Sequence, residues 1–185
     1  MRHKETPIST VINHLSQKEE RWFAVYTKYK CEKYIVDQLA RKGISAYVPL
    51  ITKTKRYASR VKTHVVPLIN SHIFVCIKKE DYVRVLQTEY AITFVKQRKN
   101  IISIPEVEIN LLKMIVGEIE NVDAGEITYE NGDEVEIIGG NLTGIRGQLV
   151  KKEGKNSFIV QLVTIGMQLA MTIDKSNLRL LKKRA

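Results

Sequence analysis

The chain has 185 residues, 44% of them hydrophobic and 27% charged, and a net charge of +10, which is the balance of a soluble protein with one domain or two small ones. No stretch approaches the ~20 apolar residues of a membrane span, and residues 1–20 have no apolar segment of the secretory kind, so a cytoplasmic protein with no membrane partner is expected. Cys31 and Cys76 sit in apolar segments without a second cysteine at ligand spacing, which predicts free thiols rather than a disulfide or a zinc site.

Residues 1–20 show no clear periodicity and read as a flexible extension, either mobile or loosely docked. Trp22 to Tyr26 is aromatic and β-branched and predicts a strand. Cys31, Ile35 and Leu39 then recur at helical spacing, and Gly43 follows as a helix stop. Ile44 to Leu50 resumes strand character. Thr52 to Thr63 is rich in Lys and Arg and reads as a long basic hairpin tip. Thr63–Leu68 and His72–Ile77 predict strands around an Ile69-Asn70-Ser71 turn, with Pro67 at a strand end. A short helix over Glu80–Leu86 and a strand over Ile92–Val95 follow. Ile104-Pro105 opens a further helix, with Val107, Leu111, Met114 and Ile115 as its expected apolar stripe.

The order β-α-β-β-α-β plus a terminal helix predicts an α+β, ferredoxin-like domain over 21–117. Residues 118–130 are acidic and lack an apolar period, which reads as a linker. Residues 131–185 carry about five short strands with glycine punctuation, which predicts a small all-β barrel that closes its own edges.

Charge is unevenly placed. From Arg41 to Lys79 there are nine basic residues and no acid, which favours a polyanionic partner. On the first helix, Lys30, Lys33, Tyr34, Asp37 and Arg41 fall opposite the apolar stripe, with Lys28 before them and Gln38 and Lys42 beside them. Such a face suits nucleic acid, with cations on phosphates and the tyrosine on a base. His64 and His72 lack partners at metal-ligand spacing and read as ordinary histidines. Gly140, Gly144 and Gly147 have no Gly-Lys-Ser/Thr ending and read as turn glycines. No nucleophile–base pair stands out, so neither an enzyme nor a cofactor is expected.

Several segments together resemble the NusG family of transcription factors. In the first domain they are Trp22-Phe23-Ala24-Val25-Tyr26-Thr27, Glu32-Lys33, Val48-Pro49-Leu50, Val66-Pro67-Leu68, His72-Ile73-Phe74-Val75 and Ile104-Pro105. In the second they are Gly132-Asp133-Glu134-Val135, Gly140, Gly144 and Gly147, which are similar to a KOW module of SH3-like barrel fold. The resemblance implies a monomeric factor that binds the clamp helices of the largest RNA polymerase subunit and touches non-template DNA. It further implies a KOW partner, either Rho or a small-subunit ribosomal protein. Matched by position, it assigns Trp22, Ala24, Tyr26, Ile69 and His72 to polymerase. It assigns Lys28, Gln38 and Arg41 to DNA, joining Lys30, Lys33 and Tyr34 of the basic face. Leu142, Ile165 and Gly166 fall at the KOW partner-binding loops.

Three departures point to a specialised branch of the family, like the RfaH or UpxY antiterminators. Ile69-Asn70-Ser71-His72 stands where Phe-Pro-Gly-Tyr is usual, Gly140-Asn141-Leu142 where Gly-Pro-Phe is, and Ile165-Gly166 where Phe-Gly is. The expected function is read-through of target operons. The alternatives are a housekeeping factor that modulates pausing and Rho-dependent termination, and an RNA- or ribosome-binding KOW protein.

Overall fold

A computed structural model describes residues 12–57, 60–118, 122–126, 132–152 and 155–183. The first unit runs β1 (Arg21–Thr27), α1 (Glu32–Arg41), β2 (Ser45–Tyr47), β3 (Leu50–Tyr57), β4 (Arg60–Pro67), β5 (His72–Ile77), α2 (Asp81–Leu86), β6 (Ala91–Phe94) and α3 (Glu106–Glu118). Four strands form an antiparallel sheet in the order β2-β5-β1-β6. Successive side chains of a strand face opposite ways. Phe23, Val25, Ile73, Val75 and Ile77 therefore share one face, buried with Ile35 and Leu39 of α1, Val85 of α2 and Phe94. The α1 stripe is the expected one, and Gly43 at φ +74° ends the helix in the left-handed conformation that glycine adopts without strain.

Two expectations change. The basic stretch is not a loop. β3 and β4 pair through all eight residues of each strand as a separate two-stranded ribbon, so Lys53 to Lys62 lie largely within strands. The expected apolar stripe of α3 holds in part: Ile115 is buried and Leu111 half-buried, but Val107 is 72% exposed and Met114 41%, and Ile109 and Leu112 are buried instead. Ile109, Leu112 and Ile115 recur every three residues and make one helix face, which joins the cluster of both units. Lys113 on it lies over the rings of Trp22 and Tyr47 in the sheet, while Leu111 borders a cleft with Gln148 and Ile159 of the second unit. Finally, the described part of the N-terminal extension is docked. Asn13 bridges to Ile101, and the Lys79 amide donates to the Ser16 carbonyl at 2.8 Å; residues 1–11 lie outside the described residues.

The second unit holds β7 (Val122–Glu126), β8 (Asp133–Ile137), β9 (Arg146–Lys152), β10 (Lys155–Leu162), β11 (Met167–Met171) and β12 (Leu178–Lys182). They form one antiparallel sheet in the order β12-β8-β9-β10-β11-β7. Among the described residues β12 and β7 stay unjoined, where a barrel closed by hydrogen bonds would pair its two ends. The expected linker at 118–130 is corrected here. Its central residues Val122–Glu126 are a strand paired with β11. Val122 is buried, and Ala124, two residues on, packs against the same cluster. Two small apolar side chains at strand spacing are too weak a signal to show through the five acids of 118–130.

Val135, Ile137, Phe158, Val160, Leu162, Leu169 and Met171 make the core of this unit. The same apolar cluster continues through Ile109, Leu112 and Ile115 of α3 to Ala24 and Phe74 on the far face of the first sheet. At Gly147 the two middle strands approach closely. A Cβ there would meet the Ile159 carbonyl oxygen and lie 2.7 Å from Phe158 Cζ, a fully buried ring. Gly147→Ala is expected to destabilise the chain by ~1–3 kcal/mol through overpacking, read as a lower urea midpoint; an unchanged midpoint would contradict the close approach.

Candidate partner-binding surfaces

The register Trp22↔Cys76, Ala24↔Phe74 and Tyr26↔His72 places these six residues on the sheet face opposite α1 and α2. They do not form one exposed patch. Tyr26 is 41% exposed, and its ring lies 4.4 Å from that of His72. Trp22 and His72 are half-buried. Ala24 at 3% and Ile69 at 1% are buried in the cluster shared with α3 and the second unit. The exposed ring of this face is therefore Tyr26, with half-buried His72 beside it, whereas half-buried Trp22 packs against the cluster with Lys113 over its ring. Period-two reasoning assigned the face but could not reveal what covers it.

The turn joining β4 to β5 is held from below. Glu32 on α1 is buried, and its carboxylate accepts the Ser71 amide at 2.7 Å. Ser71 has φ +58°, a conformation uncommon outside glycine. The Ser71 carbonyl in turn accepts the Thr27 amide at 2.9 Å. These bonds tie β1, α1 and the turn together, and so set where Ile69 and His72 stand. His72 Nδ1 is 2.8 Å from the Asn70 carbonyl. Burial lowers its pKa from the usual value, opposed by the Asn70 carbonyl and by the Glu32 charge.

On the opposite side, α1 presents its basic face. Lys28, Lys30, Lys33, Tyr34 and Arg41 are exposed, and Gln38 is half-buried. Tyr34 does not simply point outward. Its hydroxyl donates to Glu89 at 3.0 Å, and its ring lies 5.7 Å from Tyr90. The Glu89 hydrogen bond raises the Tyr34 pKa, and Glu89 does the same to Tyr90. Lys28 Nζ sits 5.2 Å from the Tyr90 ring centroid, and Lys30 Nζ 5.3 Å from that of Tyr29. Tyr29, Tyr34 and Tyr90, all exposed, thus form an aromatic surface among cations. Tyr29 and Tyr90 were missed from sequence. Tyr90 lies 56 positions from Tyr34, and the β1–β6 pairing brings it there.

The expected KOW-partner residues also divide. Leu142 is buried in the core, Ile165 is half-buried against it, and Gly166 is exposed. Ile165 and Gly166 end a short turn whose Thr164 hydroxyl donates to Glu108 of α3 at 2.8 Å. This loop is therefore packed on the first unit. Both cysteines are free thiols, and among the described residues no three His, Cys, Asp or Glu side chains cluster as metal ligands. No helix among them is long and apolar enough to cross a membrane.

What the fold presents is a two-part chain with an aromatic sheet face and a basic, tyrosine-rich helix face. The sequence model described as "Transcription termination factor nusG" matches residues 20–113, half of the chain. The chain belongs to the NusG family of transcription factors. Among solved structures it is similar to one described as "Domain interaction in Thermotoga maritima NusG", with a TM-score of 0.54 and 16% identity over 90% of this chain and 100% of that one. At that identity the likeness concerns the fold, a mixed α/β chain. A structure of the MjSpt4:Spt5 complex aligns over 89% of this chain and 99% of its own at 19% identity, with a TM-score of 0.32. No curated protein sequence matches.

Two outcomes follow from this geometry. Ile69→Asp places a charge at a fully buried position and should lower the melting temperature, whereas Tyr26→Ala should leave it within a few degrees; equal melting temperatures for the two variants would show Ile69 to be exposed in solution. Burial pushes the Tyr47 phenol up to about 12. Because the folded value exceeds the unfolded one of about 10, the stability this ring contributes is full below pH ~10 and is lost as pH rises toward 12. The absorbance titration of wild type minus Tyr47→Phe should show one phenol ionising near that value, and a midpoint near 10 would contradict its burial.

Proposed function

We propose that this chain is a transcription elongation and antitermination factor that rides on RNA polymerase. Trp22, Tyr26 and His72 dock on the clamp helices of the largest catalytic subunit. Lys28, Lys30, Lys33, Tyr34, Gln38 and Arg41 meet the non-template strand, with Tyr29 and Tyr90 beside them. The observation that carries this reading is the match of residues 20–113 to the NusG family on a sheet that turns these two residue sets to opposite sides. The strand order β2-β5-β1-β6 with two helices on one face supports a ferredoxin-like first domain, and the short antiparallel strands of the second unit support an SH3-like KOW domain.

An apolar, aromatic centre favours protein docking over a purely electrostatic contact, and Tyr26 is its exposed ring. Tyr26→Ala should weaken polymerase binding by ~2 kcal/mol or more, roughly thirtyfold, when polymerase is titrated after nuclease treatment. Full affinity in the variant would show that the face is misassigned, and nuclease-sensitive co-purification would support the RNA-binding alternative. On the opposite face, Tyr34→Ala should cost ~1–3 kcal/mol in single-strand binding if its ring stacks on a base. Glu89→Gln should strengthen that binding, because it removes the anion from the surface.

Read-through is favoured by the second unit. Ile165 stands where the family carries an aromatic, and aromatics bury ~150–250 Å² each, so the anchor for a partner such as Rho or a small-subunit ribosomal protein is smaller. Docking that recruits Rho weakly leaves elongation favoured. In a run-off assay with cognate polymerase, this factor should raise read-through in the presence of Rho. More Rho-dependent termination on its addition would restore the housekeeping role.

A further inference from the structure

We infer that the β3–β4 ribbon is a second nucleic-acid site, distinct from the α1 face, which takes the phosphates of duplex DNA. The ribbon is a two-stranded sheet of its own. Only its base is anchored, by buried Ile51 with half-buried Val66 opposite; the described side chains from Thr52 to Arg56 and from Arg60 to Val65 are exposed. Directly opposed residues share a face of a ribbon. The pairs Lys53↔His64, Lys55↔Lys62 and Tyr57↔Arg60 therefore gather Lys53, Lys55, Arg60 and Lys62 on one face, with Thr52, Val65, Thr54, Thr63, Arg56 and Val61 on the other. Lys55, Arg56, Arg60 and Lys62 make no ion pair among the described residues.

The arrangement costs stability in the free protein. Like charges directly opposite one another destabilise a ribbon, and a two-stranded hairpin is marginal in water to begin with. Lysines on edge strands do guard against aggregation. A glutamate opposite Lys55 would guard the edge equally well and stabilise the pair, yet the ribbon holds no acid at all. A one-signed face is what a polyanion requires.

Shape selects the duplex. A two-stranded ribbon fits the major groove of B-form DNA, about 12 Å wide, whereas the corresponding groove of A-form RNA is too deep and narrow for side chains to read. The described ribbon side chains offer cations and hydroxyls beside exposed Val61, Val65 and His64, while the tyrosine rings of Tyr29, Tyr34 and Tyr90 lie with α1. The two surfaces adjoin: Lys33 Nζ of α1 donates to the Val65 carbonyl of β4 at 2.6 Å.

The test is fluorescence anisotropy of the full chain with a short mixed-sequence DNA duplex, the matching single strand and the matching RNA duplex, between about 50 and 200 mM salt. Lys55→Gln with Lys62→Gln should lower DNA-duplex affinity by about tenfold and the slope of log affinity on log salt by about two, leaving single-strand affinity unchanged. Arg60→Gln alone should lower the slope by about one. The melting temperature should hold or rise, since opposed charges are removed. An unchanged salt slope, an equal loss on the single strand, or tighter RNA-duplex binding through the same lysines would each overturn the assignment. The assay contains no polymerase, so its outcome is separate from that of the docking proposal.

Discussion

The pairing of β1 with β5 is the constraint on which the first unit depends. Because the side-chain period is two, the register that sets Val25 beside Ile73 also sets Tyr26 beside His72. A slip of one residue would send Phe23 and Val25 to the far face and Trp22, Ala24 and Tyr26 under α1. The fully buried Phe23, Val25, Ile73 and Val75 forbid that slip. The same apolar burial that stabilises the helix side therefore decides which rings the other side can offer. Glu32 adds a second lock, because its buried carboxylate holds the Ser71 amide. Removing it would leave that donor without its partner and free the turn that carries Ile69 into the core.

The second unit is organised by its contact with α3. This helix buries the face through Ile109, Leu112 and Ile115 and also joins Thr164 through Glu108. Phe158, behind the glycine at 147, belongs to the same continuous cluster as Ala24 and Phe74. The two units thus share one apolar interior in this arrangement, and the loop of Ile165 is part of the seam. Glu136, paired with Arg146 and Arg179 across β8, β9 and β12, holds the other side of the sheet; the Arg179 hydrogen bond keeps its carboxyl below the usual range.

What was legible in the sequence was local and periodic. The α1 stripe, the turn at 69–71 and β5 over His72–Ile77 follow from spacing within a few residues, and most second-unit strands follow from alternation between glycines. The basic α1 face was legible for the same reason. What was not legible depends on distant parts of the chain. Ala24 and Ile69 alternate outward, but α3 and the second unit cover that face. Val107 and Met114 sit at helical spacing, yet α3 packs through neighbouring positions because it has two neighbours. Val122–Glu126 is a strand only because β11 supplies the partner. Tyr90 joins Tyr34 only once β6 pairs with β1. The ribbon hid because charge density reads as loop, while its strand pairing is set by the partner strand and the base.

The central claim is that one small sheet keeps polymerase and DNA on opposite faces. Photo-crosslinking within an assembled elongation complex tests it most directly, with a photoreactive side chain placed at position 26 in one sample and at position 34 in the other. The account predicts that position 26 labels the largest polymerase subunit and position 34 labels the non-template strand. Label exchanged between the two, or position 26 reaching only RNA, would contradict it.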